Sequence, residues 1–319
     1  MTEPLELLQR SDKWYLSAGE GLLWAPPFPA WLHVPGFWDD AHIFQYPVGP
    51  LFTVSFLDAA GRLLDLRPDA QRWTPAALET PYQVAVGADI PPVTLDMVEF
   101  RMVLPGFVLA SEWTLKNTGA EPLTVHAVAW SSAPGDDVPE GTVRVSEGDL
   151  AWPRRLKDRR QQERTVELSL AMARGTDTWA AARSEPTANQ PHFRLTPFWD
   201  RWDPVRAGLA NRADLGGVAP AGLVYLALHR AIEIAPGASA RLAVALHVDP
   251  KLPVRPMADE AAPFAPKKSS TFVAASRAHW EGYFASVPSF RCADPYFERA
   301  WAYRWYGLHL NAIAGGWGN

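Results

Sequence analysis

Residues 98–119 read VEFRMVLPGFVLASEWTLKNTG, and the repeat within them decides the fold. From residue 98 to residue 104 every second residue is apolar, whereas Glu99 and Arg101 occupy the opposite face. A period of two residues is that of a β-strand with one apolar face. The stretch therefore predicts a half-buried strand.

The residues that follow predict two further strands in succession. Pro105 and Gly106 indicate a turn, and residues 108–116 return as a second alternating strand. Another turn is expected at 117–119, and a third strand at 123–130. Three consecutive antiparallel strands would form a meander.

Short strands and frequent turns continue on both sides of this stretch. Residues 52–57 and 62–66 flank a turn and predict a hairpin. Further strands are expected at 165–173, 178–184, 222–229, 231–234 and 240–248. The pattern predicts a mainly β protein, namely a large antiparallel two-sheet β-sandwich, or supersandwich, over residues 1–250.

Composition and charge exclude several classes of protein. The chain has 319 residues, enough for one large or two ordinary domains, and its net charge of −5 argues against a nucleic-acid binder. The basic run at 154–160 is expected to be a solvated loop or a strand edge. No apolar run is long enough to span a membrane. With a single cysteine, Cys292, and no secretory signal, we expect a cytoplasmic protein.

The C-terminal part of the chain changes from strands to helices. Residues 251–268 are rich in proline and have the composition of a linker. Ser269 and Ser270 are candidate N-caps of a helix that runs to residue 284, and Asp294 followed by Pro295 begins another. We therefore expect a helical segment at 269–319.

The last helix, residues 294–311, is predicted to be buried around most of its circumference. One face is an aromatic stripe with an arginine inside it: Phe297, Trp301, Arg304, Trp305 and Leu308. The more polar side is left with Glu298, Arg299, Ala302 and His309. A buried Arg304 needs a carboxylate or an aromatic ring beside it. It is either a structural arginine that pairs with a neighbouring helix or a group that points into a sugar pocket.

A family resemblance rests on segments from both ends of the sandwich. They are DPYFERAWAYRWYGLHLN at 294–311, WEGYFASVPSF at 280–290, PGFWDD at 35–40 and GPLF at 49–52. Together they resemble six-hairpin glycosidases, the bacterial relatives of mannosylglycerate hydrolase, processing α-glucosidase and trehalase.

The resemblance implies a β-sandwich that packs on an α/α toroid of helical hairpins, of which residues 269–319 would be the start. In that family the toroid supplies the two catalytic carboxylates after its first helix, so this chain alone would be inactive. By the same resemblance Tyr303, Arg304 and Trp305 would line a carbohydrate pocket. Aromatic loops around Trp38 and Trp199 would border it.

The sandwich itself offers another candidate carbohydrate site. Asp200 and Asp203 form a local carboxylate pair, and Trp199 and Trp202 beside them could stack on a sugar ring. The alternative is an ordinary turn in which Arg201 pairs with one of the acids.

No metal ion and no cofactor is expected. Asp39, Asp40 and His42 have no further ligand at a suitable spacing, and His229 and His247, on adjacent predicted strands, are more simply explained as structural histidines.

Two main hypotheses follow from the sequence. The first is the N-terminal β-sandwich portion of a glycoside hydrolase-like protein, inactive alone. The second is a stand-alone carbohydrate- or partner-binding module, whose last helix docks a partner chain. A hydrolase that uses Asp200 and Asp203 is a third alternative. Helix 294–311, if uncovered, would be an exposed apolar patch, so we expect a homodimer or poor solubility unless it folds back onto the sandwich.

Overall fold

The computed structural model describes residues 4–11, 15–25, 33–38, 41–85, 94–146, 148–184, 205–206, 208–215, 222–249 and 271–312. These residues form three β-sheets and three α-helices. Two of the sheets pack face to face, and helices follow them in the chain, so the predicted mainly β sandwich is confirmed.

The elements of the described residues are named in chain order. The helices are α1 (Pro4–Leu7), α2 (Phe272–Ser286) and α3 (Pro295–Leu310). The strands are β1 (Leu16–Ser17), β2 (Leu22–Trp24), β3 (Ala41–Ile43), β4 (Tyr46–Val48), β5 (Thr53–Asp58), β6 (Asp65–Pro68), β7 (Arg72–Trp73), β8 (Leu78–Ala85), β9 (Leu95–Leu104), β10 (Val108–Asn117), β11 (Leu123–Pro134), β12 (Arg144–Ser146), β13 (Asp149–Lys157), β14 (Glu163–Met172), β15 (Thr178–Ser184), β16 (Arg212–Asp214), β17 (Leu223–Ile234) and β18 (Ser239–Asp249).

The two large sheets are built mostly from antiparallel pairs. Within the described ranges, nine strands form one layer in the order β12-β13-β14-β18-β10-β9-β8-β6, with β7 also paired to β8. Five strands form the other layer in the order β16-β15-β17-β11-β5, in which β15 and β16 run parallel. Strands β1 to β4 form a third, small antiparallel sheet, and their buried apolar side chains belong to the main core.

The main hydrophobic core lies between the two layers and takes alternate residues from each. Trp113 of β10 meets Phe56 of β5 across the sandwich, with ring centroids 4.8 Å apart. A second cluster around Trp38 and Trp130 covers the other face of the five-stranded sheet.

Strand β9 was predicted at the right place, but the structure turns its charged face inward. Glu99 and Arg101 are both 0% exposed and lie on the side that faces the core. Met102 and Leu104, from the apolar alternation, pack instead under Phe272 and Val273 of α2. Both faces of the strand are therefore covered.

Several consecutive strands belong to different layers, which corrects the predicted meander. The predicted hairpin at 52–57 and 62–66 is present in part, because Leu57 and Leu63 form an antiparallel bridge across the turn. β9 and β10 do pair, but β11 joins the five-stranded sheet, beside β17 and β5. After β5 the chain makes a tight turn at Asp58 and then crosses to the nine-stranded sheet as β6. β17 and β18 likewise lie in opposite layers, so His229 and His247 are not on paired strands.

The two long helices begin at capped positions. Asp294 caps α3 as predicted, because its side chain accepts a hydrogen bond from the backbone N–H of Tyr296. α2 begins at Thr271, whose hydroxyl accepts from Ala274 N–H. The predicted caps Ser269 and Ser270, and the linker 251–268, lie outside the described residues, so the division into domains stays a prediction. None of the helices in the described ranges has the length and apolarity needed to cross a membrane.

Candidate functional site

Helix α3, which carries the family resemblance, is anchored to the sandwich through a buried tyrosine. The hydroxyl group of Tyr306 donates a hydrogen bond to the carbonyl oxygen of Tyr15 at 3.0 Å. Its ring lies edge-on to Trp73, with centroids 5.3 Å apart, and 5.2 Å from the ring of Trp280 in α2. Ala302, one turn earlier on the same side, is also buried and allows a close approach.

Two histidines extend this anchor. Nε2 of His279 in α2 lies 3.0 Å from Nε2 of His309 in α3 and 3.1 Å from the carbonyl oxygen of Ala18. The ring of Tyr283 stacks on His309 at 4.1 Å. Burial, and after it the charge of His279, lower the pKa of His309 to about 4, and burial also lowers the pKa of His279. Two neutral imidazoles can share a hydrogen bond, so this pair ties both helices to the turn after β1.

The outer side of α3 is the aromatic stripe, although the sequence predicts burial around most of the helix. Phe297 is 63% exposed, Trp301 38% and Leu308 61%, whereas the buried residues are Ala302 and Tyr306. The prediction of burial around most of the helix is wrong for the described part of the chain. The side of α3 that packs on the sandwich is the one that carries a small residue and a tyrosine hydroxyl able to reach a main-chain acceptor.

The predicted pocket residues of α3 fan out around the helix, because successive residues lie about 100° apart. Arg304 is exposed and forms no ion pair or hydrogen bond with any described residue. Trp305 is half-buried, with its ring 6.0 Å from that of Trp301. Tyr303 is 40% exposed on the flank of the helix. Their role in a carbohydrate pocket stays a prediction.

The other predicted carbohydrate-binding residues lie away from this helix or outside the described ranges. Trp38 is 6% exposed, and its ring packs 4.7 Å from that of Trp130 in the cluster on the five-stranded sheet. Trp199, Asp200 and Trp202, and with them Asp203, belong to the part of the chain that the structure does not describe. Nothing in the described residues brings Trp38 together with Tyr303, Arg304 or Trp305.

A buried ion pair inside the sandwich is the polar centre that the sequence did not reveal. Glu99 accepts three hydrogen bonds, from Ser111 Oγ at 2.6 Å, Gly36 N–H at 2.7 Å and the Tyr82 hydroxyl at 2.8 Å. Its Oε2 lies 3.5 Å from Nε of Arg101. Burial raises the pKa of Glu99, while the charge of Arg101 and the hydrogen bonds act in the opposite direction.

Arg101 in turn holds the segment that leads to Trp38. Its guanidinium donates to the carbonyl oxygens of Val34 and Gly36 at 3.2 and 3.3 Å, and to Thr80 Oγ1 at 3.1 Å. It also lies over the ring of Trp24, 5.5 Å from the centroid. These partners indicate a structural role, which is to fix the chain around residue 36 against β8, β9 and β10.

A cavity of about 710 Å³ opens beside β5. The described residues that line it come from 33–35, 53–56 and 63–68, and most of them are apolar. Asp65 is the single carboxylate among them, and it lies 3.5 Å from Nε of Arg67. The cavity could therefore hold an apolar group, but its described walls lack a pair of facing carboxylates.

Two further polar clusters are held together by contacts within the protein. Arg154 and Arg155, from the basic run, lie in β13 rather than in a loop, and both bind Asp137. His126 Nδ1 lies 3.0 Å from Nε2 of His229, on neighbouring strands of the five-stranded sheet. Across the described ranges, no three histidine, cysteine or acidic residues are grouped so that they could hold a metal ion.

Comparison with solved structures finds partial similarity of the chain path. A putative kojibiose phosphorylase from human microbiome matches with a TM-score of 0.48 and 5% identity, over 93% of this chain and 35% of that chain. A family GH92 alpha-mannosidase from Bacteroides thetaiotaomicron, also solved with mannoimidazole, matches with a TM-score of 0.37 and 10% identity; the unliganded structure covers 78% of this chain and 29% of that chain. A putative aldose 1-epimerase from Escherichia coli K12 matches with a TM-score of 0.30 and 10% identity, over 58% of this chain and 68% of that chain.

The first two names are those of glycosidase-like, carbohydrate-active enzymes, and this chain spans about a third of their length. No family model and no curated protein matches the chain. With TM-scores below 0.5, these similarities do not assign the chain to any of the named families. The resemblance to six-hairpin glycosidases in particular stays a hypothesis.

Proposed function

We propose that this chain is the β-sandwich portion of a glycoside hydrolase-like protein and that it is catalytically silent by itself. The observation that carries the proposal is the position of α3 after the sandwich. The helix begins at the Asp294–Pro295 cap of the resembling motif, is held on the sandwich by Tyr306, and presents its aromatic stripe outward. The family resemblance implies that this helix, following the sandwich, is the opening helix of an α/α toroid.

We expect no activity because the described residues do not supply a suitable pair of carboxylates. Glycoside hydrolysis uses two carboxyl groups, roughly 5–9.5 Å apart, on either side of the scissile bond. Among the described residues that line the cavity beside β5, Asp65 is the single carboxylate. Glu99 is enclosed in the core, and Asp137 is bound to two arginines. The surroundings of Glu99 and Asp137 indicate structural roles, and the described walls of the cavity give Asp65 no second carboxylate with which to form a catalytic pair.

Product release measured on the purified chain tests this proposal. Aryl α-glucosides, trehalose and mannosylglycerate should give no more product than a blank without protein. Turnover that co-purifies with the chain would refute the proposal. If Asp200→Asn or Asp203→Asn then abolished that turnover while leaving the fold intact, the activity would belong to the carboxylate pair of the sandwich.

A carbohydrate- or partner-binding module is the second candidate, and the outward aromatic stripe supports it. Exposed aromatic rings are large and rigid, which suits both stacking on sugars and burial against a protein. Titration with mono- and disaccharides, followed by tryptophan fluorescence, should give a saturable change if the stripe binds sugar. Trp301→Ala should remove that change, and a linear response in both proteins would contradict sugar binding at the stripe.

A further inference from the structure

We propose that α3 pairs with the α3 of a second copy of this chain, antiparallel, about a two-fold axis that crosses the helix between Ala302 and Tyr303. This inference goes beyond the proposed function and does not depend on it. The contact surface is the outward stripe, defined here as Phe297, Trp301, Arg304 and Leu308.

The spacing of the stripe is symmetric about that axis. Its steps are four, three and four residues, so its midpoint lies between residues 302 and 303. A two-fold axis at the midpoint places Phe297 opposite Leu308 of the second copy, and Trp301 opposite Arg304 of the second copy. Closed dimers need such self-complementarity, because each surface must match itself after rotation. A contact with an unrelated helix does not require a symmetric spacing.

The chemistry of the paired positions is complementary as well. Trp301 is held in place, because its Nε1 donates to the carbonyl oxygen of Pro288 at 2.9 Å and its ring packs 5.4 Å from that of Phe290. Arg304 is exposed and has no partner among the described residues. A guanidinium over a tryptophan ring gains a cation–π interaction, and the symmetry forms it twice. The pairs of Phe297 with Leu308 bury apolar surface at both ends.

The stripe also points away from the described part of the sandwich. On the helical wheel its centre lies about 130° from the buried residue Ala302 and about 170° from the buried residue Tyr306. None of the described residues of the sandwich therefore has to move for two copies to approach. The anchor of Tyr306 and the two histidines keeps the helix in place while its outer side is in contact.

The area available sets the expected affinity. The exposed fractions of the stripe and of Phe290 correspond to about 500 Å² per copy, or about 1,000 Å² in total, which is near the lower limit of a specific interface. We therefore expect a weak dimer, with a dissociation constant of about 10–100 µM, that is in equilibrium with the monomer.

Sedimentation equilibrium of the full chain, over concentrations that bracket this range, is the first test. The mean mass should rise from one copy toward two. Phe297→Ala should weaken the association at least about tenfold. Tyr296→Ala is the matched control, because this adjacent aromatic residue is 78% exposed but lies 100° away from Phe297 around the helix. A chain that stays monomeric throughout, or two variants with the same association constant, would overturn the proposal.

An exchange of the central residues tests the register. Trp301→Arg alone would oppose two arginines across the axis and should abolish the dimer. The double variant Trp301→Arg/Arg304→Trp restores both cation–π pairs and should recover the dimer. Circular dichroism and the melting temperature monitor the fold of each variant. If the folded double variant associates no better than the single variant, the antiparallel register is wrong.

Cross-linking distinguishes this geometry from other contacts. In a Cys292→Ser background, a mixture of Phe297→Cys and Leu308→Cys chains should form a mixed disulfide. Phe297→Cys alone should not, because the two copies of that position lie about 16 Å apart along the helices. Efficient linkage of Phe297→Cys to itself would indicate parallel helices and would refute the proposal.

Discussion

Removal of Arg101 alone should destabilise the protein strongly, because Glu99 would remain buried without its positive partner. Glu99 is 0% exposed, and its three hydrogen bonds do not supply a countercharge. Breaking a buried pair from one side costs about 3–5 kcal/mol. We therefore expect Arg101→Met to lower the free energy of unfolding by about this amount.

The effect should also depend on pH. Burial already raises the pKa of Glu99, and loss of Arg101 raises it further. The folded variant then holds a proton at pH values at which the unfolded chain has released it. Its stability is consequently greatest below the unfolded pKa, about 4.3, and falls as the pH rises toward the higher pKa of the folded state. The destabilisation relative to the parent protein should thus be larger at pH 7 than at pH 5.

Urea unfolding followed by tryptophan fluorescence measures these changes. With a slope of about 3 kcal/mol per M urea, the midpoint of Arg101→Met should fall by about 1–1.7 M at pH 7. The double variant Glu99→Gln/Arg101→Met removes both charges and should be more stable than Arg101→Met alone. The reasoning fails if the double variant loses the sum of the two single losses, or if Arg101→Met costs less than about 1 kcal/mol.

Three further predictions concern other parts of the fold. Burial, and after it a neighbouring histidine, lower the pKa of His229 to about 4. The protein should therefore lose stability as the pH falls from about 6.5 toward about 4. The variant His229→Gln should remove at most about 3 kcal/mol of that loss, as measured by urea unfolding at both pH values. Tyr306→Ala should release α3, with about 3–5 kcal/mol of local stability lost and faster hydrogen exchange in that helix, whereas Tyr306→Phe should cost only about 1 kcal/mol. Gly36→Ala should lower the melting temperature more than Gly106→Ala: both residues have a positive φ, but a Cβ at Gly36 would lie 2.9 Å from the Phe52 carbonyl oxygen, and one at Gly106 would meet nothing within 4 Å. Equal losses for the two glycine variants would show that the close approach does not matter.

The positions of about half of the described strands could be predicted from the sequence, but the orientation of β9 could not. A period of two residues is a local property, and it places a strand without reference to the rest of the chain. Whether Glu99 and Arg101 face water or the core depends on partners far away in sequence, such as Gly36 and Tyr82. The sequence did offer one signal of the inward orientation, namely Ser111, a polar residue on the otherwise apolar side of β10 that lies opposite them.

The sequence likewise did not reveal which of the two layers each strand joins. β11 alternates in the same way whether it pairs with β10 or crosses to β17, because each sheet offers it an apolar partner surface. The prediction of how α3 is buried was wrong for a related reason. A helix with apolar residues on several sides has more than one face that could be buried. The face that is buried here carries the small residue Ala302 and the hydrogen-bonding residue Tyr306.

The place of β18 has a consequence for how this protein is made. Although it is the last strand in the described sequence, it lies in the middle of the nine-stranded sheet, between β14 and β10. During synthesis the two halves of that sheet cannot join until residue 249 has left the ribosome. Until then the edges of β10 and β14 are unpaired, and such edges readily pair with other chains. A chaperone that holds the nascent chain until β18 emerges should therefore increase the yield of folded protein, and a chain truncated before residue 239 should aggregate.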